Sequence, residues 1–147
     1  MTRIATFNLP EWYDQIEALG QLHKAETEAH LHDQPCVLNR TLYDTLFAAG
    51  ALVCVGAFVD DCIVGYAVAA VAPHPHYDLT AAQHDSLFIH PDHRVPRLAL
   101  RMVGAVEAEC KARGALFIAW HAKPGPPFAR LLERRAHLEE YVYTKEL

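Results

Sequence analysis

The chain reads as a mixed α/β domain: a mostly antiparallel sheet with one central parallel βαβ unit, flanked by helices. Three observations predict it. Two segments with helical spacing precede any strong strand, and two apolar strands then meet at Asp60-Asp61. A third apolar run, ending at Ile89, passes through a basic turn into a helix and a further apolar run, the order of a right-handed parallel crossover. At 147 residues the chain is expected to form one domain, 1–147, burying about two thirds of its unfolded surface in a single core.

Each element has a local cause. Residues 11–28 place Trp12, Ile16, Leu19 and Leu22 or His23 on one helical face, and Pro10 suits the start. Asn39 caps a second helix through Leu42, Leu46 and Phe47, which Gly50 stops. Strands at 52–59 and 62–71 form a hairpin across Asp60-Asp61. The loop Pro73-His74-Pro75-His76 follows, and alternation resumes from Gln83 to Ile89. A helix at 97–113 turns Leu98, Met102, Ala105 and Val106 inward and ends at Gly114. A buried strand is expected at 115–120, then a short helix at 127–135 with Phe128, Leu131 and Leu132 inward, then a last strand at 141–143.

Composition narrows the classes. Cys36, Cys54, Cys62 and Cys110 show no C-x-x-C spacing, and the last three lie in apolar patterns, as reduced, buried thiols do. With no apolar leader and no membrane-length apolar run, a cytoplasmic protein with no membrane partner is expected. The charge is asymmetric: 3 basic and 11 acidic residues precede His90, whereas 10 basic and 7 acidic residues lie from His90 onward. The basic half suits a small polyanion and the acidic half a cationic substrate, while the net charge of -5 makes nucleic-acid binding unlikely. Ten histidines raise the question of a metal, yet none pairs at helical i, i+4 spacing with a carboxylate, and no metal is expected. Neither a Gly-x-Ser-x-Gly elbow nor a Walker-type Gly-Lys-Ser/Thr run is present.

The stretch from Leu87 to Arg101 carries the chemistry. A strand ends at His90-Pro91-Asp92, and Arg94-Val95-Pro96-Arg97-Leu98-Ala99 opens directly into a helix. Free amides at a helix start, the positive end of the helix dipole and adjacent arginines all favour an anion, as in a phosphorylated ligand.

This turn and the order of elements resemble the GNAT N-acetyltransferase superfamily along essentially the whole chain. In that family a Gln/Arg-x-x-Gly-x-Gly/Ala turn holds the pyrophosphate of acetyl-CoA; Arg94 and Ala99 match its first and last positions. The central glycine is replaced by Arg97, and Pro96 before it has no N–H. Arg97 can compensate with charge-assisted hydrogen bonds. The segments at 120–124 and 141–147 look like those of small phage and prophage acetyltransferases.

The resemblance implies acetyl-CoA as acyl donor, with Phe88, Ile89, Arg94, Val95, Arg97, Leu98, Ala99 and Lys123 as its candidate contacts. It also implies direct acyl transfer to a small-molecule or protein amine acceptor. Amides near Phe88 and Ile89 are candidate donors to the thioester oxygen. For the base, His84 and Asp85 lie on the strand before the turn, where alternation puts His84 and Ser86 on one face and Asp85 on the other. His121, at the end of the neighbouring parallel strand, is a candidate for positioning or deprotonating the acceptor. Relatives carry an acidic Tyr on the last helix; here that place is Leu132, leaving Tyr141 or Tyr143, water, or no acid. The rival reading is a non-catalytic GNAT-fold module that binds CoA or a partner protein. A homodimer is compatible with either.

Overall fold

The computed structural model describes residues 1–125 and 127–147. Five strands form one sheet in the order β1 (Arg3–Thr6), β2 (Leu52–Val59), β3 (Cys62–Pro73), β4 (Thr80–Ile89), β5 (Ile118–Ala119). The first three pairings are antiparallel and β4 with β5 is parallel, as the crossover requires. The N-terminal strand was not expected from the sequence: it is four residues long with one apolar alternation, too short a pattern to read.

Local chemistry fixes the hairpin and the helix ends. Asp60 and Asp61 both hold positive φ, 47° and 63°, the conformation a two-residue type I′ turn needs and aspartate tolerates. Helix α1 covers Tyr13–Thr27 and α2 covers Arg40–Ala48. The Asn39 side chain accepts from the Leu42 amide at 3.1 Å, capping α2 as its position implied. Helix α3 covers Leu98–Ala112, with Gly114 at φ 86° behind it, and α4 covers Pro127–Glu133.

The sheet has a core on each face. On one, Leu98, Met102, Val106 and Cys110 of α3 pack on Val53, Val55, Ala67 and Ile89. On the other, Leu9, Tyr13, Ile16 and Leu19 pack on Leu52, Phe58, Tyr66 and Phe88. Each fully buried Leu, Met or Val contributes about 1.5–3 kcal/mol. Cys54 and Cys110 are buried as expected, whereas Cys62, at the hairpin end, is exposed. No helix among the described residues is long and apolar enough to cross a membrane.

The end of the chain departs from the sequence reading. The expected strand at 115–120 is regular only over Ile118–Ala119; Leu116 and Phe117 still share backbone bonds with Thr80 and Ala82 at 2.9 Å, but their side chains are exposed. Residues 134–147 form neither helix nor strand, so the expected strand at 141–143 is absent and Tyr143 is 88% exposed. A lone terminal strand has a single neighbour to pair with, and a two-residue ladder at β5 offers too few bonds to offset the ordering of the tail.

Candidate active site

One inserted residue sets the orientation of the site. Along β4, Val68 pairs with Ser86 but Ala69 pairs with His84, so Asp85 is a bulge with no partner on β3. The bulge inverts the alternation. Asp85 and Ser86 both line a pocket beneath α1 and α2, and His84 faces the other side, toward Trp120 and Phe128 of α4. The expected sharing of one face by His84 and Ser86 is therefore overturned.

The pocket is an open cavity of about 270 Å³ between α1, the loop 28–39, α2 and the sheet. Its loop is tied to α1 from both sides. Gln21 bonds the carbonyl and amide of Cys36 at 2.6 and 3.1 Å, and Lys24 donates to the His32 carbonyl. Gly20 makes room, since a Cβ there would meet Cys36 Sγ at 2.6 Å. On the floor, Tyr43 donates to Asp85 Oδ2 at 2.8 Å and Ser86 Oγ donates to the same oxygen at 3.2 Å. Burial and the adjacent Asp85 charge push the Tyr43 phenol well up, which keeps it a neutral donor. Tyr66 is likewise raised by burial.

His23 completes the pocket. Its ring stacks on Phe88 with centroids 5.0 Å apart and 17° between planes, and Nδ1 lies 2.9 Å from the Tyr66 hydroxyl. Burial lowers its pKa below 6.5, opposed by Glu28 and Glu26, so the imidazole is neutral at pH 7. Sequence reasoning left Leu22 and His23 as alternatives for the inward position, and Leu22 is the exposed one. Tyr66 was hidden inside an apolar run, and Tyr43 on a helix whose polar face gave no signal.

Across the sheet, β4 and β5 pair at Ala82 with Ile118 and Gln83 with Ala119, and the ladder stops there. His84 and Trp120 meet in this cleft, 5.0 Å between rings, with Phe128 of α4 behind. The His121 amide donates to His84 Nδ1 at 3.3 Å, which puts the proton of the neutral ring on Nε2. Burial and His121 lower the His84 pKa to about 4. His84 is thus neutral at pH 7, with Nε2–H left to donate. Among the described residues its Nε2 and Trp120 Nε1 are both buried without a partner, two orphaned donors. The His121 side chain is exposed; its backbone does the work of fixing His84.

The His90 amide bonds the Val64 carbonyl at 2.8 Å, so ladder alternation aims the Phe88 amide at β3 and those of Leu87 and Ile89 at the cleft. Of the two expected donors, Ile89 faces the cleft and Phe88 does not.

The basic turn begins with a 3-10 segment, Pro91–His93. Arg94 is turned back onto the protein: Nε donates to the Ile89 carbonyl at 2.9 Å, the guanidinium pairs with Glu26 at 2.6 Å, and its carbon lies 5.5 Å from the Phe88 ring centre. It braces the turn against β4 and α1. Val95 and Leu98 spend their amides on the carbonyls of His93 and Val95, and Leu98 is buried in the core. Arg97 holds φ 66°, ψ 0°, the left-handed conformation that a glycine adopts freely. The helical ladder begins with the Arg101 amide on the Arg97 carbonyl. Among the described residues the amides of Arg97, Ala99 and Leu100 have no acceptor, and together with the exposed Arg97 and Arg101 side chains they make a positive turn of the kind that suits an anion. Lys123, expected near the donor, pairs with Glu28 at 3.4 Å on the pocket rim. Tyr143 stands outside the pocket on the exposed tail. No group of three or more His, Cys, Asp or Glu suited to a metal occurs among the described residues.

Comparison with known proteins accords with this geometry. The sequence profile of the acetyltransferase (GNAT) family matches residues 16–136. No curated protein matches the chain by sequence. Among solved structures, the chain is similar to ribosomal-protein-alanine N-acetyltransferase from Brucella melitensis biovar Abortus 2308, at 22% identity and TM-score 0.73, covering 99% of each chain. An aminoglycoside acetyltransferase from an uncultured soil metagenomic sample, in complex with sisomicin, is 14% identical with TM-score 0.70, covering 99% of this chain and 97% of that one. Glucosamine-6-phosphate N-acetyltransferase from Arabidopsis thaliana is 12% identical with TM-score 0.72, covering 100% of this chain and 98% of that one. At these identities the structures establish the shared fold, and the profile, spanning most of the chain, establishes kinship: this protein belongs to the GNAT acetyltransferase family.

Proposed function

We propose that the protein transfers an acetyl group from acetyl-CoA directly to the nitrogen of an amine held in the α1–α2 pocket. The observation that carries this reading is the turn that leads from β4 into α3: three amides that have no acceptor among the described residues, and two exposed arginines. A diphosphate fits that charge and geometry. The cleft supports the same ligand. Two buried donors, His84 Nε2 and Trp120 Nε1, lack acceptors, and the arm between the diphosphate and the thioester of acetyl-CoA carries amide carbonyls. Bound there, acetyl-CoA supplies an activated acyl carbon.

The chain's own groups act around that carbon. The Ile89 and Leu87 amides face the side on which the thioester oxygen gains negative charge, and donors fixed in a dry cleft stabilise it. Asp85, held by Tyr43 and Ser86, gives the pocket floor a fixed negative charge that attracts an ammonium. The pocket's size suits part of a small amine, and the structural neighbours include enzymes named for aminoglycoside and amino-sugar phosphate acceptors.

The test pairs binding with turnover. Acetyl-CoA at about 100 times its Kd should stabilise the protein by about 2.7 kcal/mol, a rise of roughly 5–10 °C for a domain of this size. Arg97→Glu should abolish the rise while leaving the unliganded melting temperature near wild type, because the left-handed cost is the same for either side chain. Thiol release with amines completes the case. Stabilisation without release would make the protein a binding module, and an unchanged shift in the Arg97→Glu variant would remove the diphosphate from the turn.

A further inference from the structure

Resting on the acetyltransferase reading, we propose that His23 is the catalytic base that takes a proton from the acceptor amine, with Tyr66 as its positioning residue. Helical spacing puts Ile16, Gly20 and His23 on the inward face of α1, and the ring is held from two strands at once. Phe88 of β4 lies flat against it, and Tyr66 of β3 meets Nδ1 at 2.9 Å. Nε2 has no partner among the described residues and is not sealed from solvent. It opens on the pocket whose floor is Asp85 and Ser86, one residue along β4 from the cleft-facing Leu87 amide.

For Nε2 to accept a proton, Nδ1–H must donate to the Tyr66 oxygen. The charges facing the ring largely cancel. Glu26 is paired with Arg94 and Glu28 with Lys123, while Lys24 reaches away to His32. Cys36 and Tyr43 face the same pocket, both raised by burial and therefore uncharged, and His84 across the sheet is neutral. Asp85 is the remaining charge on the pocket floor. Burial then decides, and His23 stays neutral and receptive at pH 7.

The step balances. An ammonium gives one proton to Nε2, and the freed lone pair attacks the thioester carbonyl carbon. The C–N bond forms as the C–S bond breaks, the second nitrogen proton goes to the departing sulfur, and the imidazolium returns its proton to solvent. The products are an amide, a thiol and one released proton.

The experiment measures thiol release from acetyl-CoA with spermidine, sisomicin and a peptide bearing a free alanine N-terminus, from pH 5 to 9. His23→Gln should lower kcat by about 10²–10⁴-fold, lose the acid limb below pH 6.5, and keep acetyl-CoA affinity within twofold. Added imidazole should partly restore His23→Ala. Tyr66→Phe should lower kcat about tenfold and displace the acid limb, which a packing role alone would not do. Activity of His23→Gln within threefold of wild type overturns the proposal, as does a loss of kcat with an unmoved acid limb. Should these variants fail to fold, nitrogen-15 spectra of the wild-type ring decide: a proton on Nδ1 above pH 6.5 is expected, and one on Nε2 overturns it. If wild type binds acetyl-CoA but releases no thiol with any amine, the acetyltransferase reading fails separately, and the spectra still judge His23.

Discussion

Replacing Arg97 with glycine should make the protein more stable and a poorer binder at once. Arg97 sits at φ 66°, ψ 0°, ahead of the first helical amide of α3. A side-chain-bearing residue pays about 1–2 kcal/mol for that conformation. Glycine removes the cost but loosens the unfolded chain by about 0.4–1 kcal/mol, leaving a net gain on the order of 0.5–1 kcal/mol. For a domain of this length that is roughly 1–4 °C in melting temperature. The ligand sees the opposite change. The amides of Arg97, Ala99 and Leu100 remain, but a guanidinium is lost. A hydrogen bond to a charged group is worth about 1.5–3 kcal/mol, and because the Arg97 side chain is solvent-exposed the low end applies, about a tenfold weaker Kd for CoA. Thermal melts without ligand and calorimetric titration with CoA read the two effects separately. Arg97→Ala is the control, expected to lose affinity without gaining stability. A glycine variant that melts below wild type would refute the strained backbone, and unchanged affinity would refute contact between the guanidinium and the diphosphate.

Acid should destabilise the fold through His84. Its pKa is lowered to about 4 by burial first and His121 second, so the unfolded chain binds a proton that the native state refuses. The contribution is fully present above pH 6.5 and is lost as pH falls toward 4, about 3 kcal/mol in all. His84→Leu should flatten denaturant midpoints across that window, and a variant as acid-sensitive as wild type would contradict the assignment. In the pocket, Tyr43→Phe frees Asp85 Oδ2 from one of its two donors. It should raise KM for a cationic amine several-fold with little change in acetyl-CoA affinity; equal effects on both substrates would show that Tyr43 merely packs.

Features set by near neighbours in the chain were legible. Asn39 caps α2, Asp60-Asp61 turns the hairpin and Gly114 follows α3, each because one residue's side chain or φ settles the matter. The strand-to-helix turn at 90–98 was legible in the same way, since prolines and arginines beside a strand end form a local pattern; that it holds a diphosphate is the proposal. What escaped depended on partners far away in sequence. The Asp85 bulge is a property of how β4 registers on β3, and no alternation within residues 83–89 reveals it. His23 was one of two inward candidates until Phe88 and Tyr66 selected it. Arg94 matches the family turn in sequence, yet Glu26, 68 residues away, draws its guanidinium inward. The missing tail strand has the same origin: alternation at 141–143 cannot report that β5 offers two residues of ladder.

The bulge links these parts. In a regular strand Asp85 and Ser86 would face opposite sides, and Phe88 would fall on the side of His84, away from His23. By consuming one residue without a partner, β4 keeps His84 in the cleft with Trp120 while turning Asp85 and Ser86 to the α1–α2 pocket and Phe88 to the His23 ring. It also sets which amides beyond it point to β3 and which to the cleft, because the bond from His90 to Val64 fixes the phase from the far end. Gly65 then lets β3 close on Ile89 at the narrow pair, where a Cβ would stand 3.0 Å from the Phe88 carbonyl. In the proposed reading, donor cleft and acceptor pocket are thus opposite faces of one irregular strand. On that reading a nitrogen entering from the α1 side meets, across the sheet, a carbonyl presented from between β4 and β5.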